Sequence, residues 1–382
     1  MNQQGEVRQS KIPFHVPTHV SSEPNYVLEC LGADEDIRFQ KACSSFLKAN
    51  LGVPYVELTS SCTHALELAA LALDVQSGDQ VVVPSFTFTS TANAFLLRGA
   101  TVSFADIDPE TLNLDPESLK QCVSSRTKVV VVVHYAGIAC DMDPIVEAAS
   151  KVGAAVVEDA AHALFGKYKG RPLGTIGDIG AFSFHRTKNF SCGEGGAFAC
   201  NSDELAEIAE VIREKGTNRS QFMRGNVEKY EWIHEGSSYV IADMLAAQLL
   251  AQLEQFELVQ SKRERAWRFY HDALRGWAES NGVRQPSLPE FCDPAWHLYY
   301  MIMPTTEARD RLLSYLRAHG IGASFHYLPL HLTPMGRQLG GMVGDAPVTE
   351  WAADRLIRLP FYTNMLQEDL LRVVECVYGF RC

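Results

Sequence analysis

The chain has 382 residues, 46% of them hydrophobic, and a formal net charge of −12. That length suits two domains with sizeable cores, and the negative field argues against nucleic acid or an anionic membrane as the main partner. The N-terminal MNQQGEVRQSKIPFHVP lacks the apolar core of a signal peptide, and no apolar run is long enough to span a bilayer, so a soluble, cytoplasmic protein is expected. The ten cysteines are scattered without CxxC spacing, which predicts reduced, mostly buried thiols; no metal site is expected.

From Val53 to Cys200 short β-branched runs alternate with helical stretches. VPYVELT precedes a helix from Thr63 to Leu73, and QVVVPS precedes one through Ala92. TVSFADI, a helix near Pro116 to Val123, KVVVVVHY, a helix from Pro144 and AAVVEDA continue the pattern. Repeated βαβ units with continuous apolar strands predict a mostly parallel sheet covered on both faces. Ligands of such sheets bind beyond the carboxyl ends of the strands, which directs attention to Thr59–Thr63, Ser85–Phe88, Asp106, His134–Tyr135 and Glu158–His162.

Between Ala242 and Glu279 the pattern reads as one long helix, interrupted by glycine only at Gly276. It predicts a connector between a large domain over residues 1–250, including the N-terminal segment, and a smaller C-terminal α/β domain over 251–382. There WHLYYMIMP, a helix from Thr306 to His319, and GASFHYLPLH suggest a hairpin with helices.

Three stretches carry chemistry. SSCTHALELAALAL runs small hydroxyl residues into a helix whose free first-turn N–H groups offer a phosphate site, although Ser61 or Thr63 could be a plain N-cap. VVEDAAH puts Glu158 and Asp159 at a strand end, where a carboxylate calls for a cation; an aspartate capping the next turn is the alternative. FSFHRTKNFSCGEGG sets Lys188 after an alternating aromatic strand and before glycines that permit close backbone approach or positive φ. In this order the three fit pyridoxal 5'-phosphate (PLP) held as a Schiff base with an aspartate on its ring nitrogen, whereas a lone lysine would ordinarily be a solvated turn residue.

EDAAH, SFHRTKN and GEGG resemble the signature of the DegT/DnrJ/EryC1/StrS sugar aminotransferases, and the resemblance runs from RFQKACSSFLKANLG to RLPFY. It implies the PLP-dependent transferase fold type I of aspartate aminotransferase, with a mostly parallel large domain. It implies Lys188 as the Schiff-base lysine, Asp159 as partner of the pyridine nitrogen, Phe88 as a stacked ring and His162 near the phenolic oxygen. Cys62, Thr63, the His64 backbone and Ser183 would meet the phosphate, and His185 would be an active-site polar group. Arg219, His326, Tyr327 and His331 fall in segments resembling the family's substrate-lining regions.

The implied reaction takes an amino group from glutamate to C4 of a dTDP-linked keto sugar by ping-pong chemistry, in a homodimer with active sites at its interface. Two departures stand out. Cys62 replaces a glycine common among relatives, and Val240 in GSSYV stands where some supply a cross-subunit asparagine, leaving Ser237 or Ser238 as substitutes. Alternatives are an aminotransferase for another nucleotide-linked keto sugar (UDP-linked or 3-keto) and a catalytically silent binding protein of the same fold. A sugar 3-dehydratase would carry histidine in place of Lys188.

Overall fold

The computed structural model describes residues 11–32 and 37–381. Its strands are β1 (Tyr55–Thr59), β2 (Gln80–Pro84), β3 (Thr101–Ala105), β4 (Thr127–Val133), β5 (Ala155–Asp159), β6 (Lys167–Tyr168), β7 (Arg171–Pro172), β8 (Ile179–Ser183), β9 (Gly196–Cys200), β10 (Cys292–Asp293), β11 (Tyr300–Ile302) and β12 (Leu356–Arg358). Seven form the main sheet in the order β1-β9-β8-β5-β4-β2-β3. The pairs β2–β3, β2–β4, β4–β5 and β5–β8 are parallel, while β9 runs antiparallel to both of its neighbours, β1 and β8.

Alternate residues of the same strands fall into two different cores. Val82, Val130, Val132, Val156 and Phe182 belong to one, Val81, Val83, Val129, Val131, Val157 and Ala181 to the other. Both faces are thus covered, which is why the strands read as unbroken apolar runs rather than as alternating ones. Helices Arg38–Leu51, Met142–Ser150 and Asp243–Leu253 bury residues in the first core, and Cys62–Ala72 and Ser90–Leu96 in the second.

The expected single helix over 242–279 is two, Asp243–Leu253 and Phe256–Ser280, with the break at Glu254 and Gln255. No proline or glycine marks it. Both sides of the break pack at first into the same large-domain core, through Leu249, Leu250 and Leu253 before it and Val259 after it, while Ala266, Trp267, Tyr270 and Leu274 belong to a separate C-terminal core. The division therefore falls inside Phe256–Ser280, beyond Val259 of the first core, and not at residue 250. Ile12 also packs in the C-terminal core and bridges Ile321, so this part of the N-terminal segment joins the small domain and not the large one.

In the small domain β11 pairs with β12, not with GASFHYLPLH. That segment is irregular, touching the sheet through a single bridge from Ser324 to Arg358 before a short 3₁₀ turn at Leu330–Leu332. Among the described residues the nine cysteines are all free, no helix is long and apolar enough to cross a membrane, and no cluster of potential metal ligands occurs.

Candidate active site

A cavity of about 500 Å³ opens beyond the carboxyl ends of β5 and β8. Ser61, Cys62 and Thr63 line it from the start of helix Cys62–Ala72, Asp159 and His162 from the end of β5, and Ser183, His185 and Lys188 from beyond β8. The small domain contributes His297, His326, Tyr327 and Arg358, and the N-terminal segment adds Phe14 and His15.

Lys188 lines this cavity, and withdrawal from bulk water lowers its pKa to about 8, against the opposing pull of Asp159. Asp159 accepts hydrogen bonds from Thr91 Oγ1 at 2.8 Å and the Ala161 N–H at 3.2 Å. Burial pushes its pKa up, while those two donors and the charges of Lys188 and His134 resist. Thr91 is held in turn by Thr87 at 2.8 Å. The adjacent Glu158 faces elsewhere: it accepts from the N–H groups of Gly174, Ile176 and Gly177 at 2.6–2.7 Å and pairs with His134 at 2.8 Å. Of the two carboxylates one serves the cavity, and the other ties down the loop before β8.

Ser61 is the N-cap of helix Cys62–Ala72, its Oγ accepting the His64 N–H at 3.1 Å. The plain-cap reading thus describes Ser61, and the His64 amide expected at a phosphate is already engaged. His64 itself turns to Ser60 at 2.7 Å and is absent from the cavity lining. The Cys62 and Thr63 N–H groups have no intrahelical acceptor, and the Thr63 hydroxyl meets that of Ser90 at 2.8 Å. Burial pushes the Cys62 thiol well up, so it stays neutral.

Gly196 explains part of GEGG. A Cβ there would lie 2.4 Å from the Ser61 carbonyl carbon and 2.5 Å from the Cys62 nitrogen. The glycine lets β9 press directly against the turn that opens the helix. Gly193, at φ +90°, supplies the left-handed step before it.

Phe88 stands at the cavity with 59% of its surface exposed. His162 stacks on His297 at 4.1 Å, and its Nδ1 is buried without a hydrogen-bond partner. His297 Nδ1 bonds Asn189 Oδ1 at 2.9 Å, next to the lysine. His185 lies beside Lys188, bonding Thr187 at 2.8 Å with Glu194 3.6 Å away.

His326 and Tyr327 stack on one another at 4.0 Å and both line the cavity. Arg219 and His331 do not. Arg219 is exposed on the short helix Arg219–Met223, outside the lining. His331 is fully buried between Ser85 Oγ at 2.6 Å and Glu350 at 3.1 Å, so it braces the end of β2 against the helix Pro347–Arg355. Ser237 and Ser238 are exposed and Val240 is half-buried, and none of the three lines the cavity of its own chain. Sequence reasoning missed Thr91, Asn189, His297 and Arg358. The arginine had a signal, a charge inside the apolar run LIRLPF.

The profile of the DegT/DnrJ/EryC1/StrS aminotransferase family matches residues 33–378. The chain is 36% identical to the spore coat polysaccharide biosynthesis protein SpsC of Bacillus subtilis, over 89% of this chain and 88% of that one. Its fold is similar to that of the putative sugar aminotransferase Spr1654 from Streptococcus pneumoniae in its PMP form, with a TM-score of 0.90, 26% identity and coverage of 96% and 98%. The aminotransferase PseC of Helicobacter pylori, involved in pseudoaminic acid biosynthesis, gives 0.89 at 25% identity over 97% and 99%.

Proposed function

The chain belongs to the DegT/DnrJ/EryC1/StrS aminotransferase family, and from that premise we propose that it transfers the amino group of glutamate to C4 of dTDP-4-keto-6-deoxy-D-glucose. The products are dTDP-4-amino-4,6-dideoxy-D-galactose and 2-oxoglutarate, as for a dTDP-4-amino-4,6-dideoxygalactose transaminase of enterobacterial common antigen biosynthesis. Resemblance in VHYAGIACDMD, REKGTNRSQFMRG and GSSYVIADMLAAQL supports the choice of sugar. The polysaccharide and pseudoaminic acid roles in the names of SpsC and PseC support a sugar acceptor in general.

The observation that carries the reading is the convergence of Lys188 and Asp159 on one cavity at the strand ends. The residues present fit PLP: a lysine amine eased toward neutrality, a buried carboxylate, free first-turn N–H groups at Cys62 and Thr63, and the orphaned Nδ1 of His162. When bound, the cofactor supplies the electron sink that lets the hydrogen on the donor's amine-bearing carbon leave as a proton. Lys188 would be its point of attachment, and its free amine would be the base that carries that proton. Asp159, fixed by Thr91 and Ala161, would hold a proton on the ring nitrogen, and Phe88 would offer an aromatic face. Thr63 and Ser183, with the Cys62 and Thr63 amides, hold the phosphate. A homodimer completing these sites is part of the reading.

The test is the absorbance spectrum of the cofactor-loaded protein titrated with glutamate and then with dTDP-4-keto-6-deoxyglucose. Loss of the visible-edge band with glutamate and its return with the sugar is expected. Loss without return would reject this acceptor and send the search to UDP-linked or 3-keto sugars; no response to glutamate would reject the donor.

A further inference from the structure

Arg358 is the cavity's unexplained cation. It ends β12, lines the cavity together with Lys188, and among the described residues no carboxylate pairs with it. Its Nη1 donates to His326 Nε2, its Nε is buried without a partner, and Nη2 takes part in no hydrogen bond among those residues. The face of Phe14 lies 4.8 Å from the guanidinium carbon.

The donation to Nε2 fixes the state of His326. That nitrogen must offer its lone pair, so the ring is neutral with its proton on Nδ1, aimed at the Tyr135 hydroxyl 3.3 Å away. Burial, Arg358 and Lys188 all depress the pKa of His326, and burial raises those of Tyr135 and Tyr327. Neutral groups orient the guanidinium without cancelling its charge. A cation held this way away from bulk water is costly unless an anion arrives to meet it.

We infer that Arg358 seats the α-carboxylate of the amino donor, an assignment that rests on the amino-acid-donor reading above. A nucleotide sugar's diphosphate lies across the width of the sugar ring from the reacting C4. An amino acid's α-carboxylate is bonded to the very carbon whose hydrogen Lys188 must reach. An arginine lining the same cavity as Lys188, its charge acting on Lys188, His162 and His326, suits the second. The planar fork of a guanidinium also matches a carboxylate in a bidentate pair.

The experiment follows each half-reaction of the cofactor-loaded enzyme separately by absorbance. Arg358→Gln is expected to raise the half-saturating glutamate concentration about 10- to 100-fold. It should change that for dTDP-4-amino-4,6-dideoxygalactose, run in reverse, by less than about 3-fold. Arg358→Lys, which keeps the charge and loses the fork, falls between. On the wild type the α-methyl ester of glutamate should saturate at least about 10-fold less well than the γ-methyl ester, a comparison free of any folding defect. Unchanged glutamate saturation in Arg358→Gln, equal loss in both half-reactions, or indifference to the α-ester overturns the assignment. Failure of the donor reading shows separately, as a wild-type enzyme that ignores glutamate, and takes the assignment with it.

Discussion

In the cofactor-free protein Lys188 titrates near 8 instead of the ordinary ~10.4, because the cavity withholds water from its charge. About a tenth of the amine is then neutral at pH 7, roughly 200-fold more than for a free lysine. Capture of PLP needs that neutral form, so its rate constant, followed by stopped-flow absorbance, should rise tenfold per pH unit below 8 and level off above it. The same shift has a stability sign. The unfolded chain binds the lysine proton more tightly than the folded one, so Lys188 destabilises the cofactor-free fold by about 3 kcal/mol at pH 7. This penalty shrinks as pH rises through 8 toward 10.4, to about 1 kcal/mol at pH 10. Lys188→Met should therefore raise the Tm of the cofactor-free protein at pH 7, and the advantage over wild type should narrow steadily up to pH 10. A capture rate still climbing log-linearly at pH 10, or a Met variant whose advantage ignores pH, would refute the reasoning.

Asp159→Asn removes the carboxylate proposed to hold a proton on the ring nitrogen, and a loss of about 10²- to 10³-fold in the glutamate half-reaction is expected by single-turnover absorbance, with little change in fold by circular dichroism. Gly196→Ala would drive a methyl group into the Ser61–Cys62 backbone at 2.4–2.5 Å; equilibrium dialysis should show at least about tenfold weaker PLP binding, since backbone and not a flexible side chain must yield. Glu158→Gln weakens the anchoring of three loop amides and of His134, which predicts a cost of about 2–4 kcal/mol in denaturant melts, while the absorbance maximum of whatever holoenzyme forms stays in place.

The large-domain half of the site was legible because it is local in sequence. Asp159 and His162 leave one strand, Ser183, His185 and Lys188 leave its neighbour, and parallel topology brings both ends to one edge. Chain order alone could not tell Glu158 from Asp159. Alternation along β5 sends one to the loop at Gly174 and the other to the cavity, and the register that decides this is tertiary. The small-domain half was legible only in part. His326 and Tyr327 reach the cavity, while His331, five residues after His326, is swallowed by the contact with Ser85, because an irregular stretch ending in a single short 3₁₀ turn carries no period from which to read facing. His297, Asn189 and Arg358 come from separate stretches joined only by folding. The helix break at Glu254 had no local cause and so left no local sign.

How firmly the two halves are aligned follows from what lies beneath them. Phe86 and Tyr135, at the ends of β2 and β4, share one buried cluster with Leu298, Tyr300, Ile302 and Leu356 of the small domain. Tyr135 is the hinge of that contact: its ring packs against Phe86, Tyr300 and Tyr327 at 5.0–5.9 Å, and its hydroxyl meets His326, which holds Arg358. The seat of the small domain on the ends of β2 and β4 is therefore a set of close-packed aromatic rings, and such a core resists deformation. Aminotransfer needs that constancy. The donor and the keto sugar occupy the cavity in turn, and whatever one leaves bound must be met by the other without rebuilding the walls. The residues proposed to serve both half-reactions sit at the sheet edge, and the residue inferred to serve one alone, Arg358, reaches the same cavity from the small domain, whose seat on the sheet runs through the packing around Tyr135.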